Sequence, residues 1–349
     1  MGRLFNLDYL RGLAAFGIMM FHYLSWTVGE FTVDTFMGRL GIYGVSLFYI
    51  LSGLTLHYVY YDKMTISKDG ILSFFKKRIF RIFPLLWLIT IIAVIGYRKW
   101  PDFTDLFLNL TGLFGFVRWD KYFSAGVWSI GNELVFYVFF PLFILLIKKN
   151  KPLMVLLSTI IMGLYLYFAF VKLNPELLLK HQWKNYVNPL NQLFLFLGGF
   201  LIGHFLHNIK IKNIYLIILL LISLLLFALY PVTGDMINIV TGMNRLFFTV
   251  CCFLVCICFY KISYRFPDFI HKPLTLLGEA SYSVYLLHPL VYKFTSGVFG
   301  IFSTYVFNIS TAVLMPLAIV ETLILSYFVY QYFEKYFMKV GNRKVNNLV

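Results

Sequence analysis

The sequence predicts an all-α polytopic membrane protein of about ten transmembrane helices, from its composition, its apolar windows and its loop charges. The 349 residues are 60% hydrophobic and only 13% charged, whereas a soluble domain is roughly half apolar and about a quarter charged. Apolar runs long enough to cross a bilayer recur along the whole chain. We therefore expect one integral membrane domain, residues 1–340, followed by a short cytoplasmic tail, residues 341–349.

Apolar windows of about 20 residues define the expected spans. They fall at residues 7–27, 41–61, 79–97, 127–147, 152–171, 189–207, 214–231, 243–260, 277–297 and 310–333. The amphipathic region 102–117 is shorter than a bilayer requires, which predicts an interfacial or re-entrant helix. Asp8 and Arg11 lie inside the first window and no small-residue cleavage motif ends it, so we expect that span to be retained.

The basic residues set the expected orientation. The net charge of +15 does not form one stripe interleaved with stacking aromatic residues, which argues against a nucleic-acid partner. Lys and Arg concentrate instead in alternate connections, for example at Lys63, Lys76, Lys77, Lys148 and Lys149. The positive-inside rule then places both termini in the cytoplasm. We expect a multi-pass protein of the cell inner (cytoplasmic) membrane, in contact with membrane lipid.

The four cysteines lie in one apolar run, at Cys251, Cys252, Cys256 and Cys258. Disulfide frameworks belong to small extracellular domains, so we expect none here. Cys252 and Cys256 share a helical face, but a buried cysteine commonly behaves as a small hydrophobic residue. We therefore expect no metal site.

Ionisable side chains inside the predicted spans are candidate functional groups, because they are costly in lipid. Arg11 and His22 are almost three helical turns apart and share one face of the first span. Glu133, on the antiparallel fourth span, lies at a similar depth to His22 and could meet it. A snorkelling arginine, a satisfied core histidine and a structural pair for Glu133 are the alternatives. Together on one axis, the three residues favour a site.

A basic segment, residues 75–84, enters the third span. Arg78 and Arg81 stand at positions i and i+3 of a helix, so their guanidinium groups can hold one polyphosphate together. Positive-inside anchoring explains the neighbouring lysines. With Arg11 nearby, the segment predicts an anion site on the cytoplasmic side. In the second span, the small residues from Gly44 to Gly53 favour close helix packing.

The ninth predicted span carries hydroxyl groups and an imidazole. Ser281, Tyr282, Tyr285 and His288 precede Pro289, which can kink the helix. Ligand binding and structural hydrogen bonding explain these side chains equally well.

Five segments, in this order, resemble acyltransferase family 3, membrane-bound enzymes that acylate surface polysaccharides and other envelope acceptors. The segments are Leu7 to Ala15 with His22, Gly44 to Gly53, Phe75 to Pro84, Trp128 to Tyr137 with Pro141, and Gly278 to Pro289. One departure is Tyr9, at a position where the family commonly has glycine.

The resemblance implies an acyl-CoA donor, which we expect to be acetyl-CoA, and a hydroxyl of a cell-surface or lipid-linked glycan as the acceptor. Arg11, Arg78 and Arg81 would hold the coenzyme phosphates. His22 would be the general base and Glu133 would orient it, as in a catalytic triad. Direct attack and an acyl-histidine intermediate both remain open. No tightly bound cofactor is implied.

Five further residues would contact the substrate: Trp128, Ser129, Tyr282, Tyr285 and His288. We expect no periplasmic hydrolase-like domain after the last span, so we expect the chain to complete the transfer alone or to hand the acyl group to a separate periplasmic partner. A transporter of a lipid-linked glycan or an anionic metabolite is the alternative function. An internal repeat and paired broken helices would support it, and the sequence shows neither clearly. A non-catalytic scaffold would leave the buried His22 and Glu133 unexplained.

Overall fold

The computed structural model describes residues 4–96, 100–305 and 311–343, which form helices and loops without any strand. The helices of the first half are α1 (Phe5–Thr27), α2 (Phe36–Tyr60), α3 (Lys68–Gly96), α4 (Phe103–Thr111), α5 (Phe114–Val117), α6 (Val127–Lys149), α7 (Lys151–Tyr167) and α8 (Trp183–Tyr186). Those of the second half are α9 (Pro189–Leu206), α10 (Asn213–Leu229), α11 (Ile237–Val240), α12 (Gly242–Lys261), α13 (Asp268–Glu279), α14 (Ser281–Tyr305), α15 (Thr311–Phe328) and α16 (Lys335–Asn342).

The expectation of an all-α polytopic membrane protein is confirmed. Each of the ten predicted spans overlaps a helix of at least 17 residues among the described residues, although the ninth also includes the end of a second helix, α13. Seven helical segments of that part are long and apolar enough, by length and composition alone, to cross a membrane. The total of ten spans and the side of each terminus stay predictions. Most of the predicted tail, residues 344–349, lies outside the described residues.

Region 102–117 forms two short helices, α4 and α5, instead of one. The carboxylate of Asp102 caps α4 by accepting from the backbone N of Asp105 at 3.0 Å. Gly112 ends α4 with a φ of +75°, a left-handed conformation that glycine adopts without strain. α5 then packs tightly on α6, since a Cβ on Gly115 would lie 2.3 Å from the carbonyl oxygen of Gly131.

The predicted ninth span, 277–297, joins the end of one helix to the start of another. α13 ends at Glu279 and α14 begins at Ser281. α13 is amphipathic and lies directly against α1: a Cβ on Gly278 would lie 2.1 Å from the carbonyl oxygen of Asp8. A hydropathy window averages across such a break, which is why the sequence predicted one continuous segment.

The contact between α13 and α1 also accommodates Tyr9, the residue that departs from the family pattern. Tyr9 is fully buried, and its hydroxyl shares a hydrogen bond of 2.5 Å with Nδ1 of His271. The sequence assigned no role to His271. The structure gives it a structural one, as the polar partner of a buried tyrosine.

The connections lie at two faces of the helix bundle. One, which we call the basic face, carries Lys63 and Lys76, and the Nζ of Lys76 donates to the carbonyl oxygen of Arg343 at 3.0 Å. The opposite face carries the loops that follow α1 and α10, where Nη2 of Arg39 donates to the carbonyl oxygen of Tyr230 at 2.6 Å. The positive-inside rule predicts that the basic face is cytoplasmic.

α2 and α9 pack backbone against backbone near the centre of the bundle. A Cβ added to Gly53 would lie 2.0 Å from the carbonyl oxygen of Phe196, and one added to Gly199 would lie 1.9 Å from that of Ile50. The close packing predicted for Gly44 to Gly53 is therefore confirmed at Gly53. This contact fixes α2, which carries two side chains of the candidate site.

We expect Gly53→Ala to lower the melting temperature of the detergent-solubilised protein by several degrees. The added methyl group meets a backbone carbonyl that cannot rotate away, and such overpacking costs about 1–3 kcal/mol. Gly163→Ala in α7 is the matched control, because a Cβ there meets nothing within 4 Å. Equal melting temperatures for the two variants would contradict the close approach.

Candidate active site

A cavity in the middle of the bundle brings the predicted anion-binding residues together. Its walls come from α1, α2, α3, α6 and α14, and Arg11, Arg78, Arg81 and Glu133 all line it. The cavity is narrow, with a volume of about 130 Å³. We call it the central cavity. Three arginines from two helices thus face one space, as the sequence predicted.

Arg11 is held in the central cavity by its own helix and by α2. Its Nη1 forms a salt bridge with the carboxylate of Asp8 at 3.2 Å, and its Nη2 donates to the hydroxyl of Thr55 at 3.0 Å. The side chain is only 17% exposed. These two contacts hold the guanidinium in place inside the bundle, so the alternative of a snorkelling arginine does not describe it.

Arg78 lies among aromatic rings. Its guanidinium is 5.7 Å from the ring centroid of Tyr60 and 5.9 Å from that of Tyr137, distances at which a cation is attracted to the ring face. Nη2 also donates to the hydroxyl of Tyr60 at 3.4 Å, whereas the buried Nε has no hydrogen-bond partner within the described part of the chain. Arg78 is therefore fixed in position and keeps a donor unsatisfied.

Two wider cavities open from the basic face toward the same arginines. One has a volume of about 550 Å³ and is lined by Lys63, Lys77, Arg78 and Arg81. The other has a volume of about 450 Å³ and is lined by Arg11, Lys63 and Arg81, but also by the carboxylates of Asp8, Glu279 and Glu334. Arg81 lines both of these basic-face cavities and the central cavity. A bulky anion at the basic face would thus meet cationic side chains chiefly in the cavity of about 550 Å³, because the other cavity has as many carboxylates as cations.

Glu133 is the carboxylate of the central cavity. Its Oε1 accepts from the hydroxyl of Ser52 on α2 at 2.7 Å. It also interacts with Tyr137, one turn along α6, and with the charges of Arg11 and Arg78. Glu133 therefore compensates the buried arginines and joins α6 to α2.

His22 pairs with a second histidine. Nδ1 of His22 lies 2.9 Å from Nε2 of His288, and the two rings lie edge to edge and nearly parallel, with an interplanar angle of 14°. His288 is fully buried, and its Nδ1 lies 3.1 Å from the carbonyl oxygen of Val284. His22 is partly exposed. We call these two residues the histidine pair.

The hydrogen bonds of the pair select one arrangement of protons. A carbonyl oxygen only accepts, so Nδ1 of His288 carries the proton, and Nε2 of a neutral His288 is an acceptor. Nδ1 of His22 must then donate to it. The second nitrogen of His22, Nε2, is left with a free lone pair, as a general base or a nucleophile requires.

The predicted contact between His22 and Glu133 does not form: among the described residues, each makes its hydrogen bond to a different partner. Counting residues from the helix ends gave similar depths for the two, but depth does not fix lateral position. α1 packs beside α2, α13 and α14, whereas α6 packs beside α5, α7 and α9. His22 therefore meets His288 of α14, and Glu133 meets Ser52 of α2.

The remaining predicted substrate contacts divide into two groups. Ser129, Tyr282 and Tyr285 line the central cavity. Tyr285 also borders the histidine pair, because its ring centroid is 6.0 Å from that of His288. Trp128 lines none of the described cavities and packs into an aromatic cluster, 5.6 Å from the ring centroid of Trp183. The structure therefore does not bring Trp128 to the site.

The hydroxyl groups of the two cavity tyrosines are already engaged. Tyr282 donates to the carbonyl oxygen of Ile82 at 2.8 Å, and Tyr285 donates to that of Gly126 at 3.1 Å. The hydroxyl of Tyr285 also lies 2.9 Å from that of Ser129. Both tyrosines therefore present ring surface to the cavity more than free polar groups.

Three side chains of this region were not predicted from the sequence. Ser52 lies within the segment Gly44 to Gly53, which we interpreted as a packing surface, and Thr55 lies just after it. The two hydroxyls are at positions i and i+3 of an apolar helix, a spacing that places them on one polar face. Trp26 follows His22 by one helical turn and stacks on it, with ring centroids 5.1 Å apart and an interplanar angle of 11°. Their spacing was the available signal.

Fold and cavities together define a polytopic membrane protein with a buried, positively charged site. Residues 4–331 match the model of acyltransferase family 3, which is described as an acyltransferase domain. The chain belongs to this family and is a membrane acyltransferase. No curated protein and no solved structure matches it.

The proton arrangement of the histidine pair can be measured. In protein labelled with ¹⁵N at histidine, we expect the spectrum near neutral pH to show His22 and His288 both protonated at Nδ1 and unprotonated at Nε2. The His22→Gln and His288→Gln variants assign the signals by their disappearance. A signal from His22 with its proton on Nε2 would contradict the arrangement.

Proposed function

We propose that this protein is a membrane O-acyltransferase that transfers an acetyl group from acetyl-CoA to a hydroxyl of a cell-surface or lipid-linked glycan. Family membership supports acyl transfer. The observation that carries the finer proposal is the course of the cavities. Arg11, Arg78 and Arg81 each line both the central cavity and a wider cavity at the basic face, and the central cavity is also lined by Tyr285, which borders the histidine pair.

The shape of the cavities suits a coenzyme A thioester. The nucleotide end is bulky and carries the phosphate groups, which Lys63, Arg78 and Arg81 would bind in the two basic-face cavities, each about 450–550 Å³. The pantetheine arm is thin, and the central cavity of about 130 Å³ would take it. Arg11 stands at the junction of the two. The thioester would then lie beside Tyr285.

The negative charge of Glu133 lies in the central cavity, where the uncharged pantetheine arm would lie. Its interactions with Arg11 and Arg78 reduce the cost of burying two guanidinium groups. We therefore assign Glu133 to holding the arginines and α2 in position, in place of the orienting role expected from the sequence.

The transfer step follows from the free lone pair on His22. Nε2 takes the proton of the acceptor hydroxyl while the oxygen attacks the thioester carbonyl, and the carbon–sulfur bond then breaks. The coenzyme leaves as a thiolate, and His22 returns the proton to it. Such a base contributes on the order of a hundredfold to ten-thousandfold. Tyr285 borders both the cavity and the pair, so the acyl group must pass its ring.

His288 takes the positioning role that a carboxylate has in a catalytic triad. It accepts the Nδ1–H of His22 and is itself fixed by the carbonyl oxygen of Val284. A neutral imidazole supports the charged His22 less strongly than a carboxylate does. It can, however, share the proton, because its own Nε2 faces the pair.

The topological part of the proposal places the basic face in the cytoplasm, where acetyl-CoA is found, in the inner (cytoplasmic) membrane. The acceptor would then approach from the periplasm, directly or through a separate partner that receives the acyl group. A transporter, the alternative from the sequence, would use the same buried charges. Membership of an acyltransferase family favours the enzyme.

Acetyl-CoA labelled in the acetyl group tests the function. Purified protein in liposomes, incubated with label on the basic face and with envelope glycan, should move label into the glycan. Label that stays on the protein after denaturation would favour the acyl-histidine intermediate over direct attack. Label found in neither place, with the donor unchanged, would contradict the proposal.

We expect His22→Ala to keep its melting temperature and its affinity for acetyl-CoA but to lose acyl transfer by at least about a hundredfold. His288→Ala should lose less, since the base remains but is not oriented. His181→Ala, which changes an exposed histidine in the short 3-10 helix Leu179–Gln182, is the control. Normal turnover by well-folded His22→Ala protein would contradict the assigned base.

We expect Arg78→Ala with Arg81→Ala to weaken acetyl-CoA binding by at least about tenfold, because each lost charge-assisted hydrogen bond is worth about 1.5–3 kcal/mol. Lysine at both positions should restore binding only in part, since an ammonium cannot form the bidentate fork. Lys210→Ala with Lys212→Ala removes two exposed cations from the same face and is the control. Calorimetric titration measures the affinities, and an unchanged affinity in the double arginine variant would assign that pair to topology instead.

A further inference from the structure

A fourth cavity lies at the opposite face and shares no lining residue with the central cavity. Its volume is about 540 Å³, and its walls come from α1, α3, α14 and the loop before α6. We call it the opposite-face cavity. Trp26 lines it, and so does Pro289, which follows His288 in the chain. Neither His22 nor His288 lines it, so the cavity reaches the histidine pair through Trp26, which stacks on His22.

Trp26 connects this cavity to the histidine pair. Its ring stacks on His22, and its centroid lies 6.2 Å from that of His288 with an interplanar angle of 16°. The side chain is nonetheless 41% exposed. A large aromatic surface thus lies open in a cavity while it touches the base that the proposed function requires.

Ser124 supplies a polar group in the same cavity. Ser124 is only 7% exposed, and its hydroxyl has no hydrogen-bond partner among the described residues. A buried hydroxyl without a partner is costly, so it commonly marks a place where a ligand or water completes the hydrogen bonding. Ser124 lines a cavity that is large enough for a sugar.

The other walls are mainly apolar and aromatic. The hydroxyl of Tyr292 lies 2.8 Å from that of Thr27, which leaves the tyrosine ring beside Trp26 at a centroid distance of 5.0 Å. Lys293 and Ser296 also line the cavity, which therefore offers one cation and two serine hydroxyls beside an apolar, aromatic surface. Such a lining suits a pyranose ring, because the ring has an apolar C–H face and hydroxyls at its edge. Phosphate or nucleotide would instead require a cluster of cations, such as the one at the basic face.

We propose that the opposite-face cavity is the acceptor site and binds a pyranose ring, whose C–H face packs against Trp26 and whose edge hydroxyl bonds to Ser124. This inference rests on the proposed function, which supplies the need for a hydroxyl acceptor at His22. Donor and acceptor then enter by separate cavities and meet at the histidine pair. The residue assignments for the acceptor are thus distinct from those for the donor.

The test measures sugar binding directly, by saturation-transfer NMR on the purified protein. The probes are the methyl β-pyranosides of glucose, galactose and N-acetylglucosamine, with glucitol as the comparison, because glucitol has the hydroxyls but no ring face. We expect transfer to the ring C–H protons of at least one pyranoside and none to glucitol.

The variants separate the two contacts. Trp26→Leu should weaken pyranoside binding at least about tenfold, Trp26→Phe should restore part of it, and Ser124→Ala should weaken it several-fold. Acetyl-CoA affinity should stay unchanged in all three. Trp100→Leu is the control, since Trp100 is 86% exposed on the same face and lines none of the described cavities.

Equal transfer to glucitol, no transfer to any pyranoside, or unchanged binding in both Trp26→Leu and Ser124→Ala would overturn the acceptor site. In those cases, label transfer from acetyl-CoA to envelope glycan can still proceed, and the proposed function stands. Pyranoside binding that is lost in Trp26→Leu supports the acceptor site, whether or not the protein transfers label. A protein that binds pyranosides but transfers no label would contradict the proposed function and leave the acceptor site in place.

Discussion

The cost of placing cations inside an apolar bundle is the constraint on which this structure depends. Arg11 and Arg78 are charged in any protein, so burial is tolerable only where partners surround them. Asp8, Thr55, Tyr60 and Glu133 supply those partners from α1, α2 and α6. The tight contact of α2 with α9 at Gly53 holds one of those helices in place. Helix packing and charge compensation thus shape the same central cavity, which is narrow and is lined by positively charged arginines.

The histidine pair is held in position in a different way from the arginines, because no carboxylate contacts it among the described residues. Its order comes from a chain of neutral groups: the carbonyl oxygen of Val284, then His288, then His22. The aromatic ring of Trp26 covers one face of the pair and Tyr285 borders it on the cavity side. The two substrates would thus reach the same imidazole from different directions.

The sequence predicted the features that helical periodicity and depth in the membrane determine. Arg11 and His22 share a face because their spacing is close to a whole number of turns, and Arg78 and Arg81 face one cavity because they are one turn apart. It could not predict which helices become neighbours, so Glu133 was paired with His22 and His288 was left among ligand contacts. Trp128 was assigned from resemblance, and the structure turns it toward Trp183 instead. The break between α13 and α14 was hidden because both sides of it are apolar enough for one window.

The most direct measurement of the central claim is a cryo-electron microscopy structure of the protein with a non-hydrolysable acetyl-CoA analogue. We expect phosphate density beside Lys63, Arg78 and Arg81, the pantetheine arm in the central cavity, and the acetyl carbonyl near Nε2 of His22. Reacting atoms in such complexes lie about 3–3.5 Å apart. An analogue bound at the opposite face, or one whose acetyl group lies away from the histidine pair, would contradict the account.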